Sequence, residues 1–404
     1  MAQTFTAAQW RKIHGLVESD GEAFGLPARH GKSVVIGSFN IRKLGKVSSK
    51  SANSWKLLLD VAERFDLLAV QEVQDDLEGV RLLRDELNKR TGNAYGLVVS
   101  DITGGSPKVG MKERLAFLFR WAKIARTEVA SDISYDRSWL VKTLYEQREP
   151  FWISFDAYEK DLRDWEKKAA ERKSQGKKAP KKPSVHLPDF VSFIRQPLCV
   201  SFAIQGVAGH DPHEFLAVNA HLLFGDYEDE RYKEFQALVG WLVDRARKSK
   251  NMYCPNVIML GDCNLNFKNP ETSRNKINAF LKFRNSADLS GKPAKLNFPF
   301  LDVHPARDEV FRTNARLNQT YDQVGLVSHD AWVPRHEENV TAGQNGTNGY
   351  DYGVFNFVDL FANALHGKNF STIAKDKQKD LLKKFEHDFT DHMPIWIRLP
   401  KPGA

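Results

Sequence analysis

Cysteine is scarce in this sequence: Cys199, Cys254 and Cys263 are the only three among 404 residues, with no Cys-x-x-Cys spacing. An odd, unclustered set gives no basis for a disulfide framework or a thiolate zinc site. Long apolar runs are lacking too. None approaches the ~20 residues that a membrane-spanning helix needs, so no membrane association is expected. The first residues carry neither a basic segment nor an apolar leader-like stretch, and the expected location is cytoplasmic. The pairing of low hydrophobicity with high charge that marks disorder is also missing, since 42% of residues are hydrophobic and 27% charged. What the chain does have is a positive excess of +8, which fits a polyanionic partner.

That excess is concentrated. Between Glu159 and Lys182 ten Lys/Arg face five Asp/Glu. The stretch 158–172 reads as an exposed helix with opposite charges at i,i+4, as in Glu159/Arg163 and Asp164/Lys168. The stretch 174–183, with Lys177, Lys178, Lys181 and Lys182 among glycine and prolines, reads as a mobile loop. Such a segment fits a solvated insertion or a basic flap that follows a phosphate backbone. On either side the sequence nearly repeats: Arg-Glu-Pro-Phe-Trp-Ile-Ser-Phe at 148–155 and Arg-Gln-Pro-Leu-Cys-Val-Ser-Phe at 195–202. Both read as strands entered through a proline.

Elsewhere apolar strands alternate with amphipathic helices. The patterns predict strands at 33–40, 66–72, 115–121, 215–221, 257–262, 321–327 and 395–399. Helices are predicted at 55–65, 76–90, 229–248 and 375–386. Some consecutive strands lack a helical crossover, which points to mixed sheets. No linker divides the chain. The expected organisation is an N-terminal extension over 1–30 and one catalytic domain over 31–400, carrying the basic insertion at 156–192. Residues 10–17 have helical spacing, and 330–370 reads as a long loop near the site.

Polar residues stand where these strands stop. The run 34–39 ends at Asn40, the run 67–71 at Glu72, the run 215–220 at His221, and the run 257–261 at Asp262, with Asn264 beyond. Asp391 and His392 precede the last strand. A carboxylate or imidazole at a buried strand end is costly unless paired or metal-bound, so five such ends point to one shared site. Oxygen donors without thiolates suit a hard cation such as Mg²⁺, Mn²⁺ or Ca²⁺. Two histidines with carboxylates available suit proton transfer during displacement at phosphorus.

Seven segments resemble the endonuclease/exonuclease/phosphatase superfamily, most closely deoxyribonuclease I. They are Ile-Gly-Ser-Phe-Asn-Ile-Arg-Lys-Leu-Gly at 36–45, Ala-Val-Gln-Glu-Val-Gln at 69–74 and Lys-Glu-Arg-Leu-Ala-Phe-Leu-Phe-Arg at 112–120. Asn-Ala-His-Leu at 219–222, Leu-Gly-Asp-Cys-Asn at 260–264, Thr-Tyr-Asp-Gln-Val at 320–324 and Thr-Asp-His-Met-Pro at 390–394 follow in the family's order. The resemblance implies a four-layer α/β sandwich of two packed mixed β-sheets flanked by helices, with the site at one end.

It further implies that Glu72 is the main divalent-metal ligand, helped by Asn40 and Asp391, with Asp262 available to a second ion. His221 would be polarised by Glu113 and His392 by Asp322, while Asp262 and Asn264 hold the attacking water and the scissile phosphate. Which histidine is acid and which base stays open. His221 is assigned the leaving oxygen and His392 the water or phosphate. Arg42, Arg114, Asn264 and Thr320, with the four insertion lysines, would contact substrate. Gln74 and Met111 replace an arginine and a tyrosine with which the family grips duplex DNA, whereas Asn219 and Thr390 are mild variants that leave the chemistry intact.

The implied activity is metal-dependent hydrolysis of phosphodiesters in nucleic acid, DNA foremost. The alternatives are a phosphatase or phosphodiesterase acting on inositol phosphates or lipids, and a binding module without activity. Retention of every expected polar position argues against the last.

Overall fold

The structure is a computed structural model that describes residues 4–92, 94–102, 113–134, 137–184, 193–224, 228–247, 253–265 and 295–404, together with 275 and 279. The basic insertion as expected at 156–192 therefore lies partly outside the described residues, as does Met111.

Twelve strands form two six-stranded sheets. The first has β11(Asp351–Val354), β12(Ile395–Pro400), β1(Ser33–Leu44), β2(Leu67–Val73), β4(Arg114–Arg120) and β3(Tyr95–Val99) in spatial order. The second has β5(Ile124–Asp132), β6(Leu198–Ile204), β7(His213–His221), β8(Val257–Asp262), β10(Asp322–Ser328) and β9(Lys295–Asn297). β1 runs parallel to β2 and β7 parallel to β8, while the other neighbours are antiparallel, so both sheets are mixed. These parallel pairs are central, and central strands covered on both faces need near-continuous apolar sequence. β1 is buried from Ser33 through Ile41 and β8 throughout, which is why their sequences do not alternate.

The sheets pack face to face through aromatic rings. Phe117 and Phe119 of the first sheet meet Phe202 of the second edge-on, at 5.5 and 5.2 Å between centroids. Rings in this geometry add ~1 kcal/mol to what their burial contributes. With helices on the outer faces this is the four-layer sandwich.

α1(Ala7–Asp20) starts at a capping box in which Thr6 and Gln9 satisfy one another's backbone N–H groups. Its buried Trp10, Ile13 and Val17 recur at i, i+3 and i+7, and Trp10 lies edge-on to Phe361 at 5.8 Å. The N-terminal stretch is thus part of the core rather than a loose appendage. α2(Ala52–Ala62) is capped by Ser51 and α3(Glu78–Thr91) closes at left-handed Gly92.

The chain divides into two compact units, and both sheets belong to the first (1–133, 195–221 and 239–404). The second comprises 134–194 and 222–238. It holds α4(Arg137–Glu146), the 27-residue α5(Arg148–Ser174) and the first half of α6(Glu228–Arg247). Within it the basic stretch after Ser174 folds back on its own helix. Trp165 donates its indole N–H to the Pro180 carbonyl at 2.8 Å, and Lys182 sits 5.9 Å from the Trp165 ring centroid.

Two expectations fail here. Residues 148–155 are helical, not a strand, because Pro150 falls in the first turn, where a missing N–H breaks no helical bond. The stretch 330–370 is no long loop. It contains β11, two 3₁₀ turns and α7(Phe357–His366), followed by α8(Lys375–Asp388). Its asparagines mislead because Asn339 is buried and hydrogen-bonds Asn297, Asp302 and Tyr350. Among the described residues no helix is long and apolar enough to cross a membrane.

Candidate active site

The strand ends carrying Asn40, His221, Asp262 and His392 converge. β7 and β8 run in parallel register with His221 beside Asp262, and this close pairing depends on Gly261. At φ 149° a Cβ on Gly261 would lie 1.9 Å from the Ala220 carbonyl oxygen, so no other residue fits. β10 enters antiparallel to β8 with Asp322 beside Asp262. From the first sheet, Asn40 of β1 reaches across, and its side-chain amide donates to Asp262 Oδ2 at 3.1 Å. Thr390 ties the His392 turn to the same strand, donating its hydroxyl to the Asn40 carbonyl at 2.9 Å.

The outcome is two anchored imidazoles around one carboxylate. His221 Nδ1 lies 3.3 Å from Glu113 Oε2, and His392 Nδ1 lies 2.9 Å from Asp322 Oδ2. Their Nε2 atoms approach Asp262 Oδ2 at 3.7 and 3.6 Å, so both rings present the same nitrogen to one point. Asp262 is further held by the Asn264 backbone N–H, at 2.9 Å from Oδ1.

Charge follows from this packing. Burial opposes ionisation of Asp262, but His392, His221, the Asn264 N–H and the Asn40 amide hold it below the usual carboxylate range. Burial likewise opposes the charge on Glu113, which His221 and Arg195 overcome, keeping its pKa low. His392 is pushed well above the ordinary imidazole range: burial disfavours its cation, yet Asp322 and Asp262 favour it. Both carboxylates thus favour the protonated form of His392.

The remaining expected residues fall into four groups. Glu72 and Asp391 are half-buried, and both act electrostatically on Lys50. Glu72 accepts from the Lys43 backbone N–H at 3.0 Å, at a left-handed φ of 59° that costs about 1 kcal/mol or more in a non-glycine residue. Asn264, adjoining Asp262, also has positive φ. Arg42, Arg114 and Thr320 are engaged within the fold. Arg42 donates to the Glu386 carbonyl at 2.7 Å, Arg114 pairs with Asp101 at 2.8 Å, and Thr320 donates to the Phe311 carbonyl. Lys177, Lys178, Lys181 and Lys182 are exposed in the second unit.

Sequence reading missed Arg195, which lies in the first unit. Its Nε sits 2.7 Å from Glu113 Oε2 and it donates to the His221 carbonyl at 3.3 Å, so it braces both members of one pair. The Arg-x-Pro lead of its segment was the available signal, and the near-copy at 148–150 obscured it.

The donor set fits a hard cation. Asn40 Oδ1 is buried without a hydrogen-bond partner, an oxygen acceptor beside Asp262. Among the described residues, donor atoms of Asp262, Asp322 and His392 lie within 4.8 Å of one another. Asp322 and His392 already bond each other, which leaves Asn40 Oδ1, Asp262 and the half-buried carboxylates as the better donors.

No protein-family model matches the chain. It is 38% identical to deoxyribonuclease-1 of Canis lupus familiaris over 100 residues, covering 24% of this chain and 33% of that protein. It is 25% identical to a deoxyribonuclease of Thioalkalivibrio over 243 residues, covering 59% and 48%. The chain thus spans a third to about half of the length of these curated relatives. Among solved structures, an endonuclease/exonuclease/phosphatase family protein from Bacteroides thetaiotaomicron aligns with a TM-score of 0.42 at 11% identity, over 92% of this chain and 99% of that one.

Proposed function

Since the chain belongs to the endonuclease/exonuclease/phosphatase superfamily and is DNase I-like, we propose that it hydrolyses phosphodiester bonds in nucleic acid, DNA foremost, by in-line attack of water. The observation that carries this reading is the convergence of His221 Nε2 and His392 Nε2 on Asp262, at 3.7 and 3.6 Å, with each Nδ1 anchored by its own carboxylate. Anchoring fixes the tautomer and holds the ring ready to take or give a proton at Nε2. Asp262, kept ionised, orients the attacking water with Asn264 beside it and takes the proton that water loses as its oxygen bonds to phosphorus. His392, whose protonated form Asp322 and Asp262 favour, offers positive charge to the phosphoryl oxygens, and His221 gives a proton from Nε2 to the oxygen that leaves. Both steps avoid building charge on an unassisted oxygen, each worth roughly 10²–10⁴ in rate.

Glu72, Asn40 and Asp391 would hold Mg²⁺, or Mn²⁺ or Ca²⁺, which when bound neutralises charge on the non-bridging and leaving oxygens. Lys177, Lys178, Lys181 and Lys182 would add electrostatic contacts to the polyanion. Each phosphate they neutralise adds about 0.9 to the salt slope of binding on duplex and about 0.7 on single strands.

The test is a substrate panel of plasmid, single-stranded DNA, RNA and inositol phosphates, each with Mg²⁺ and with EDTA, alongside His221→Ala. Cleavage of nucleic acid that needs the metal and collapses in His221→Ala is expected. Hydrolysis of an inositol phosphate with no nucleic acid cut would replace this reading with the phosphatase one.

A further inference from the structure

Glu72 stands at a fault in its strand. β2 pairs with β4 as far as Val70 and Ala116, and pairing resumes only at Val73 and Arg114. Gln71 and Glu72 thus stand opposite a single residue, a bulge, and Glu72 takes its left-handed φ there. Such a conformation persists only where the surroundings over-determine it.

The clamp comes from the opposite sheet. Asn219 of β7, fully buried, donates its side-chain N–H groups to the Val70 carbonyl at 3.1 Å and the Ala116 carbonyl at 2.9 Å. Val70 and Ala116 are the last ladder pair before the fault. The Asn219 oxygen accepts from Gln71 Nε2 at 2.6 Å, and Gln71 also donates to the Ser38 hydroxyl at 3.1 Å. Every hydrogen-bonding atom of the Asn219 amide is used, and each contact falls on the bulge or on the residue next to Glu72. Two positions along the same strand face, β7 delivers His221.

We propose that Asn219 is a positioning residue: it locks the β2 bulge across the two sheets and so sets the direction of the Glu72 carboxylate. This rests on reading Glu72 as a holder of the divalent cation. Asparagine suits the task because its planar amide offers two donors and one acceptor at fixed angles. Alanine would take a donor from each of two carbonyls and an acceptor from the Gln71 amide in a fully buried layer.

The experiment measures Mn²⁺ affinity of the full-length protein without substrate, by calorimetry or EPR. The variants are Asn219→Ala, Glu72→Gln and Leu216→Ala, the last a core truncation farther along β7. Asn219→Ala is expected to weaken Mn²⁺ about 10–100-fold, the range typical of outer-shell residues, while Leu216→Ala binds like the wild type. A merely structural role for Asn219 would move both alike or neither, and either result overturns the proposal. Loss of affinity in Glu72→Gln with none in Asn219→Ala overturns the positioning role alone. Unchanged affinity in both overturns the reading of Glu72 itself. Should Asn219→Ala not fold, Asn219→Ser, which keeps one hydroxyl, is read by the same criteria.

Discussion

Asp262→Asn is expected to lower kcat on a polynucleotide by about 10³-fold or more, with a circular-dichroism spectrum like that of the wild type. The substitution keeps size and one oxygen but removes the charge on which both imidazoles close. Asp262 is fully buried and held below the usual carboxylate range by those imidazoles, the Asn264 N–H and the Asn40 amide. An amide in its place can orient a water only as a neutral acceptor. Its N–H₂ would also face one of the two Nε2 atoms 3.6–3.7 Å away. Steady-state rates on a labelled oligonucleotide, with stopped-flow binding to separate KM, check this. A fall in kcat of less than tenfold would remove Asp262 from the chemistry.

His392→Ala carries the second large effect, a loss of about 10²–10⁴ in kcat with KM little changed. The imidazolium is made by its surroundings. Asp322 at 2.9 Å and Asp262 at 3.6 Å outweigh the cost of burying the charge. Truncation removes the positive group and leaves two carboxylates facing each other across the gap. Part of the loss should therefore return with added imidazole, which can occupy the space as a small cation. His392→Gln, which fills the space without a charge, should stay as inactive as alanine. Asp322→Asn should mimic a weaker form of the same defect, since the ring then lacks its anchor at Nδ1. Equal activity of His392→Gln and wild type would show that the ring acts only as filler.

The candidate site was legible in the sequence as a set of strand-end residues. Polar side chains at the mouths of apolar strands stand out because burial makes them expensive, so Asn40, Glu72, His221, Asp262 and His392 could be named from pattern alone. Central strands were also readable, since coverage on both faces imposes unbroken apolar runs. Three things were not. Residues 148–155 match a strand in composition, yet the helical choice turned on where Pro150 falls in the first turn, which composition does not reveal. Asn339 looks like a loop marker until its buried partners Asn297 and Asp302, some forty residues away, are known. Asn219 and Arg195 act through contacts between distant strands: Asn219 reads as an ordinary variant, and the near-copy at 148–150 hides the lead of the Arg195 segment. The bulge at Glu72 belongs with them, because a register shift is a property of two strands together.

The central claim, that water attacks phosphorus at a metal-assisted site built around Asp262, is tested most directly with ¹⁸O-labelled water. A single-stranded oligonucleotide is cleaved in H₂¹⁸O with Mg²⁺, and the product termini are read by mass spectrometry. One ¹⁸O on each newly formed phosphate is predicted from a single turnover, with no product in EDTA and none above background for Asp262→Asn. Products without label, or undiminished cleavage in EDTA, would contradict it.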